Sequence, residues 1–323
     1  NGLTVRRPRF PLIPRIGARL NPALVARAVL SAVHGQTFDV VDAQFFYPDG
    51  PAAMRVADAL GLPFSVKARG ADISHFGHDP ATAPQLLAAA DKAAALLAVS
   101  DAMRRDMAAI GIDPAKMSTH YTGIDTARFH PADRTATRAA LGIDDAPMIL
   151  TVGALIPRKG QELVIEALAA LPGVHYYLAG AGEADGRYRA RAERLGVADR
   201  VHFMGPVANA DLPMLYRAAD AVVMPSASEG LANAWVEALA CGTPIVISDA
   251  GGASELVTSP LAGRIVARNP EAIAAAVEAI LANPPAPHDV AATLAGRFDW
   301  DRNGRELAAH LRRCVNLSAK NEP

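Results

Sequence analysis

The chain has 323 residues, half of them apolar and a fifth charged, with a formal net charge of −1. That balance fits a globular protein long enough for two domains and argues against a dedicated nucleic-acid binder, whose phosphate partners demand a strongly basic face. No apolar run reaches the about 18 residues that span a bilayer, and Cys241 and Cys314 are too few for a disulfide framework or a zinc cluster.

Both cysteines read as small buried hydrophobes, which suits a reducing cytosol. The chain opens on Asn1, with no signal-peptide pattern and no buried opening strand or glycine-bearing turn, so its N-terminus reads as cut. Residues 1–38 hold six arginines (Arg6, Arg7, Arg9, Arg15, Arg19 and Arg27) and no acidic residue. Interleaved Phe10, Leu12, Ile13 and Ile16 make the first 20 residues a candidate for peripheral contact with an anionic membrane face. The alternative is a loop and a helix with solvated arginines.

From there strands and helices alternate. FDVVDAQ (38–44), LPFSVKARG (62–70) and AALLAVS (94–100) read as buried strands, and Ser100 reads as the cap of the next helix. Residues 126–147 change character, with Pro131, Gly142 and Pro147 around a short helix, and read as an interdomain linker. A second series begins at MILTVGALI (148–156) and continues through VHYYLAG (174–180), VHFMG (201–205), AVVMP (221–225), PIVIS (244–248) and GRIVA (263–267). Asn269 and Pro270 read as a helix cap and first helical residue. This is the pattern of two α/β, doubly wound, Rossmann-like parallel sheets, which bind ligands at their carboxyl edges.

Three stretches carry candidate chemistry. In GALIPRKGQE (153–162), Arg158 and Lys159 occupy a tight turn at a helix start, an arrangement that is either an anion site or a solvated pair. In PSASEGLANAWVEALACGTP (225–244), Glu229 precedes Gly230, and Glu237 follows eight residues later inside an apolar helix. A carboxylate there either faces solvent or takes partners such as sugar and ribose hydroxyls. DAGGASE (249–255) offers adjacent glycines and reads more simply as a turn. GAG at 180–182 lacks the rest of a dinucleotide fingerprint, and no zinc, nucleophile-elbow or Walker motif is present.

Taken together, VGALIPRKG, GAGE, RVHFMG and DLPMLYRAADAVVMPSASEGLANAWVEALACGTPIVISDAGGASE resemble the retaining glycosyltransferases of family 4, which have the GT-B fold. The likeness covers most of residues 92–316, including AVSDAMRRDM and TGIDTARFHP. It implies a partial, acceptor-side Rossmann-like domain at 1–130 and a linker at 131–146. It also implies a nucleotide-sugar-binding domain at 147–296 and a C-terminal helix at 297–323 that packs back toward the first domain. Arg158 and Lys159 resemble the pair gripping the donor diphosphate, and Glu229 the glutamate contacting the donor sugar. The amides of Gly230, Leu231 and Ala232 would lie beside Glu229. Glu237 resembles the glutamate that holds the ribose hydroxyls, and Gly153 belongs to the same donor turn.

First-domain contacts are expected at Arg69, Gly70 and Asp72, and at Gly123 in the turn before the linker, where Thr122 replaces the asparagine of many members. Arg69 stands where many members carry a histidine, a form that some relatives share; His75 and His78 read as surface loop positions. The likeness implies a metal-independent, retaining transferase of the polysaccharide-biosynthesis type, without a cofactor. It would move a sugar from a nucleoside-diphosphate sugar to a hydroxyl of a glycan or lipid-linked acceptor. The DWD at 299–301 lies outside the donor motifs and reads as structural. The expected location is the cytoplasm or its membrane face, and the alternative function is a non-catalytic sugar-nucleotide-binding fragment.

Overall fold

Short β-branched runs separated by alanine-rich amphipathic segments fold as the pattern requires: parallel strands buried on both faces and covered by helices. The structure is a computed structural model that describes residues 4–11, 13 and 16–319. Leu12 and Arg15 of the basic opening stretch lie outside the described residues. The chain divides into two units: residues up to Tyr121 together with those from Asn303 onward, and Thr122–Arg302.

The first unit is built on β1 (Val41–Ala43), β2 (Phe64–Ala68), β3 (Ala95–Ala98) and β4 (Met117–Thr119), all parallel and ordered β1-β2-β3-β4. Its core joins Phe46, Phe64, Val66, Leu86, Leu96, Met103 and Met107. Ser100 caps the helix Asp101–Ala109, its Oγ accepting from the Met103 amide at 3.0 Å. The helix Trp300–Ala319 contributes to this unit from Asn303 onward, burying His310 and Cys314.

The second unit holds β5 (Met148–Val152), β6 (His175–Ala179), β7 (Val201–Gly205), β8 (Ala221–Met224), β9 (Ile245–Ser248) and β10 (Gly263–Val266). All pair in parallel, in the order β10-β9-β8-β5-β6-β7. This is the Rossmann order, and the winding reverses between β5 and β8. Every residue of β8 and β9 is buried, as their unbroken apolar runs demand.

The stretch around residue 138 is ordered within the second unit. Asp133 caps the helix Arg134–Leu141, and Gly142, at φ +67°, ends it. Asp220, just before β8, accepts from Arg134 at 2.7 Å, from buried Arg138 at 2.8 Å and from the Met148 amide at 2.8 Å. Asn269 caps the helix Pro270–Ala282, with Pro270 at its first turn. Asp299, the first residue of DWD, accepts from the Arg302 amide at 2.8 Å, which gives that stretch a structural task. Among the described residues, no helix is long and apolar enough to cross a membrane.

Candidate functional site

The loops after β5 and β8 flank the strand-order reversal of the second unit, the position at which open α/β sheets bind their ligands. The loop after β5 is fixed from beneath. Leu155 donates its amide to the Ala181 carbonyl and accepts from the Ala184 amide, both at 3.0 Å. A side chain at Gly180 would collide with the Gly153 carbonyl, and one at Gly182 with that of Leu155. The GAG at 180–182 thus supplies close backbone approach to the loop after β5. Buried Gln161 donates to the Ala154 carbonyl at 2.8 Å and accepts from Tyr188 at 3.2 Å, anchoring the far end of the loop.

Pro157–Lys159 forms a single 3₁₀ turn, and Gly160, at φ +75°, leads into the helix Gln161–Ala167. Gly160 presses on the Pro225 carbonyl so closely that only glycine fits. The Arg158 carbonyl accepts from the Ala227 amide at 2.7 Å, and its guanidinium donates to the Ser228 carbonyl. The loops after β5 and β8 are therefore one piece. At their junction Lys159 Nζ lies 2.5 Å from Glu229 Oε1, with both side chains largely buried (14% and 9% exposed), and Arg158 Nη1 lies 3.7 Å from the same oxygen.

The loop after β9 adds a third layer. Gly251, at φ +52°, sits against the Glu229 and Gly230 carbonyls, and the Gly252 amide donates to Gly230 at 2.8 Å. DAGGASE thus acts as a turn that braces the glutamate loop. Gly230, Leu231 and Ala232 run directly into the helix Asn233–Ala240, with Ala232 at its cap position.

Glu237 lies on that helix, half-buried. Its Oε2 accepts from Tyr216 Oη at 2.8 Å. Burial holds the carboxyl above its usual range, opposed by the Tyr216 hydroxyl and then by the charge of Arg128. Tyr216 is itself fully buried, so its phenol is pushed far up, first by burial and then by the neighbouring carboxylate. Tyr216 carries no signal in the sequence beyond a helical apolar stripe, because LPMLYRA reads simply as core.

The residues singled out in the first unit form a self-contained turn. Both oxygens of fully buried Asp72 are taken by the backbone amides of Phe46, Arg69 and Gly70 at 2.6–3.0 Å. Burial raises its carboxyl, and those amides pull it back. Gly70 has φ +150°, and the Arg69 side chain donates to Gln44 at 3.1 Å. His75 and His78 are exposed. Gly123, in the second unit, lies flat against the Trp300 ring, which a Cβ would strike.

A second polar cluster in the first unit went unmarked in the sequence. Lys67 on β2 is 3% exposed, with Nζ 2.8 Å from His120 Nδ1, while His120 Nε2 lies 3.0 Å from the Asn303 carbonyl. A carbonyl only accepts, so Nε2 carries the imidazole proton and Nδ1 accepts from lysine. Burial, then the charge of Arg69, brings Lys67 down to about 8. Ser65 Oγ lies 2.7 Å from His310 Nε2. This network ties the C-terminal helix to β2 and β4.

Two all-parallel α/β sheets, one of them in Rossmann order, define the GT-B fold, and solved structures similar to this chain agree. The profile described as glycosyl transferases group 1 matches residues 133–294, and that described as glycosyltransferase family 4 matches residues 1–128. The chain belongs to the group 1 glycosyltransferase family.

D-inositol 3-phosphate glycosyltransferases of Mycobacterium tuberculosis and Mycobacterium bovis are 35% identical to it over 239 residues, 70% of this chain and 50% of theirs. The chain thus spans about half the length of these curated relatives. Anabaena HepE, in complex with UDP, superposes with a TM-score of 0.80 at 25% identity, over 90% of this chain and 82% of HepE. HepE has also been solved with UDP-glucose, at a TM-score of 0.78 and 26% identity, over 90% of this chain and 82% of that one. Sucrose-phosphate synthase from Thermosynechococcus elongatus matches in fold at a TM-score of 0.84 and 21% identity, over 95% and 83% of the two chains.

Proposed function

We propose that this protein is a retaining, metal-independent glycosyltransferase, moving a sugar from a nucleoside-diphosphate sugar to a hydroxyl of a glycan or lipid-linked acceptor. The observation that carries the reading is the meeting of Lys159 and Glu229 at the strand-order reversal, 2.5 Å apart and largely shielded from water. In this reading the diphosphate takes Lys159 and Arg158. Glu229 turns to a hydroxyl of the transferred sugar, beside the backbone of Gly230–Ala232, and Glu237 accepts from the ribose. Family membership and the UDP and UDP-glucose complexes of HepE support it.

Breaking the anomeric carbon–oxygen bond loads negative charge onto the departing diphosphate, and two fixed cations stabilise that charge more in the transition state than in the ground state. The acceptor oxygen forms the new bond from the same face, and its proton passes to the released diphosphate. Configuration at the anomeric carbon is thereby retained. The cations perform the charge-neutralising task that a divalent metal has in other transferases. A cytoplasmic location follows from the cytosolic supply of nucleotide sugars. Peripheral membrane contact rests on exposed Arg6, Arg7, Arg9 and Phe10.

The test is calorimetric binding of uridine, guanosine and adenosine diphosphate sugars, followed by product analysis with EDTA present. Expected are saturable binding of one nucleotide class and an anomerically retained glycoside without added metal. Binding without turnover toward any acceptor hydroxyl would instead assign a sugar-nucleotide-binding protein. Absence of binding by all three classes would remove the donor-site reading.

A further inference from the structure

Tyr216 is placed with more constraint than a core tyrosine needs. Its ring is fully buried on the helix Leu212–Ala218, 6.2 Å from the Phe129 ring, and its carbonyl accepts from Thr243 Oγ1 at 2.6 Å. Packing alone would be met by phenylalanine, and a phenol hydroxyl buried without a partner costs free energy. The hydroxyl is instead aimed at one carboxylate oxygen of Glu237, at 2.8 Å. Glu237 swings on three side-chain torsions and sits on a helix whose neighbouring positions Trp235, Val236, Ala238 and Leu239 are buried and apolar. Among the described residues no hydrogen bond reaches its other oxygen, Oε1, and the side chain is only half-buried.

We infer that Tyr216 is a positioning residue for nucleoside recognition: its hydroxyl occupies Oε2 of Glu237 and holds Oε1 toward solvent as the acceptor for a ribose hydroxyl. This rests on the reading of Glu237 as the ribose-binding carboxylate. A charged acceptor with a fixed rotamer binds a hydroxyl more tightly than one that must first be ordered, because the ordering cost is met in the free protein.

The hydroxyl also opposes the burial that raises the carboxyl above its usual range. The groups facing Glu237 are Tyr216 on the helix Leu212–Ala218, Arg128 on the segment that precedes the helix Arg134–Leu141, and Cys241 at the C-terminal cap of its own helix. The Cys241 thiol is pushed up to about 12, chiefly by burial, and stays neutral. Tyr216 and Arg128 are thus the groups that offset the desolvation of Glu237.

The experiment measures calorimetric affinity for UDP, ADP and GDP and their 2′-deoxy forms across pH 5–8, for the unaltered chain, Tyr216→Phe, Glu237→Gln and the double variant. For the nucleotide that binds, Tyr216→Phe is expected to weaken the ribo form by about three- to tenfold, the scale of one hydrogen bond to a charged group lost through an intermediary. The 2′-deoxy form should lose less, so the ribo-over-deoxy preference narrows, and the acid limb of the affinity profile should move to higher pH. In the Glu237→Gln background, Tyr216→Phe should add nothing further. Glu237→Asp, which withdraws the carboxylate from the hydroxyl by one methylene, should narrow the preference in the same way.

Equal losses for ribo and deoxy forms, or the same loss in the Glu237→Gln background, would mark Tyr216 as packing alone and overturn the inference. So would an unmoved acid limb. If Glu237→Gln itself leaves both affinity and preference unchanged, the ribose reading of Glu237 fails first, and the positioning role fails with it.

Discussion

Lys159 Nζ is held 2.5 Å from Glu229 Oε1 across 70 residues of sequence. On the proposed function, the cation that receives the diphosphate is thus ion-paired with the carboxylate that receives the sugar. Donor binding would then exchange one anion for another at Lys159 and free Glu229 for hydroxyls.

Removing that cation gives the sharpest functional contrast. Lys159→Ala is expected to lower turnover by about a hundredfold, the scale of one lost transition-state donor. Arg105→Ala, on an exposed position of the helix Asp101–Ala109, should leave turnover within about twofold. Steady-state kinetics on both variants check this, and equal effects would remove Lys159 from the diphosphate role.

Gly251→Ala should disrupt the brace behind Glu229. Its φ of +52° disfavours any side chain, and a Cβ would enter the Glu229 and Gly230 carbonyls. A loss of about 2 kcal/mol or more in unfolding free energy is expected, along with weaker nucleotide binding. Gly196→Ala, at φ +66° but facing open space, should lose about 1 kcal/mol and leave binding intact. Urea unfolding and calorimetry on the pair separate strain from collision.

Asp220→Ala should destabilise the second unit by about 3–5 kcal/mol, because it strands buried Arg138 and removes the acceptor for Arg134 and the Met148 amide. Asp185→Ala breaks only the exposed pair with Arg189 and should cost about 1 kcal/mol or less. Urea midpoints at fixed slope test the difference.

Lys67 predicts a pH dependence. Burial depresses its ammonium from 10.5 to about 8, so between these values the unfolded chain holds a proton that the folded chain lacks. Stability then rises with pH through that window, and the penalty for burying the charge is fully present below pH about 8. Lys67→Met should abolish this increment, seen as a wild-type-minus-variant difference in unfolding free energy that climbs from pH 8 to 10. A flat difference would mean that the ammonium is solvated. Comparing the two proteins cancels the buried thiol of Cys314, pushed up to about 11 by burial, whose slope has the opposite sign.

Strands were legible wherever an apolar run stood between turn residues, as in β5, β8 and β9. The strand β4 was not, because MST at 117–119 offers three residues and one apolar side chain. Ser100 and Asn269 were readable as caps because a cap is a local event, settled within four residues. The Arg158–Lys159 turn and the two glutamates stood out by composition. The pairing of Glu237 with Tyr216 did not, since nothing local distinguishes a tyrosine that packs from one that also donates. Lys67 was hidden for the converse reason: lysine is so seldom buried that a strand reading SVKA places its side chain outward by default. Its burial depends on His120 and on the helix Trp300–Ala319, more than 50 and 230 positions away.

The first unit is assembled from two pieces of chain, one ending at Tyr121 and the other starting at Asn303. On the ribosome, the 181 residues of Thr122–Arg302 must be made between them. Ser65 on β2 therefore meets His310, and the His120 imidazole the Asn303 carbonyl, only after the whole second unit has been synthesised. The polar cluster of the first sheet is thus the part of the earlier half that is completed last, by the segment of chain that is made last.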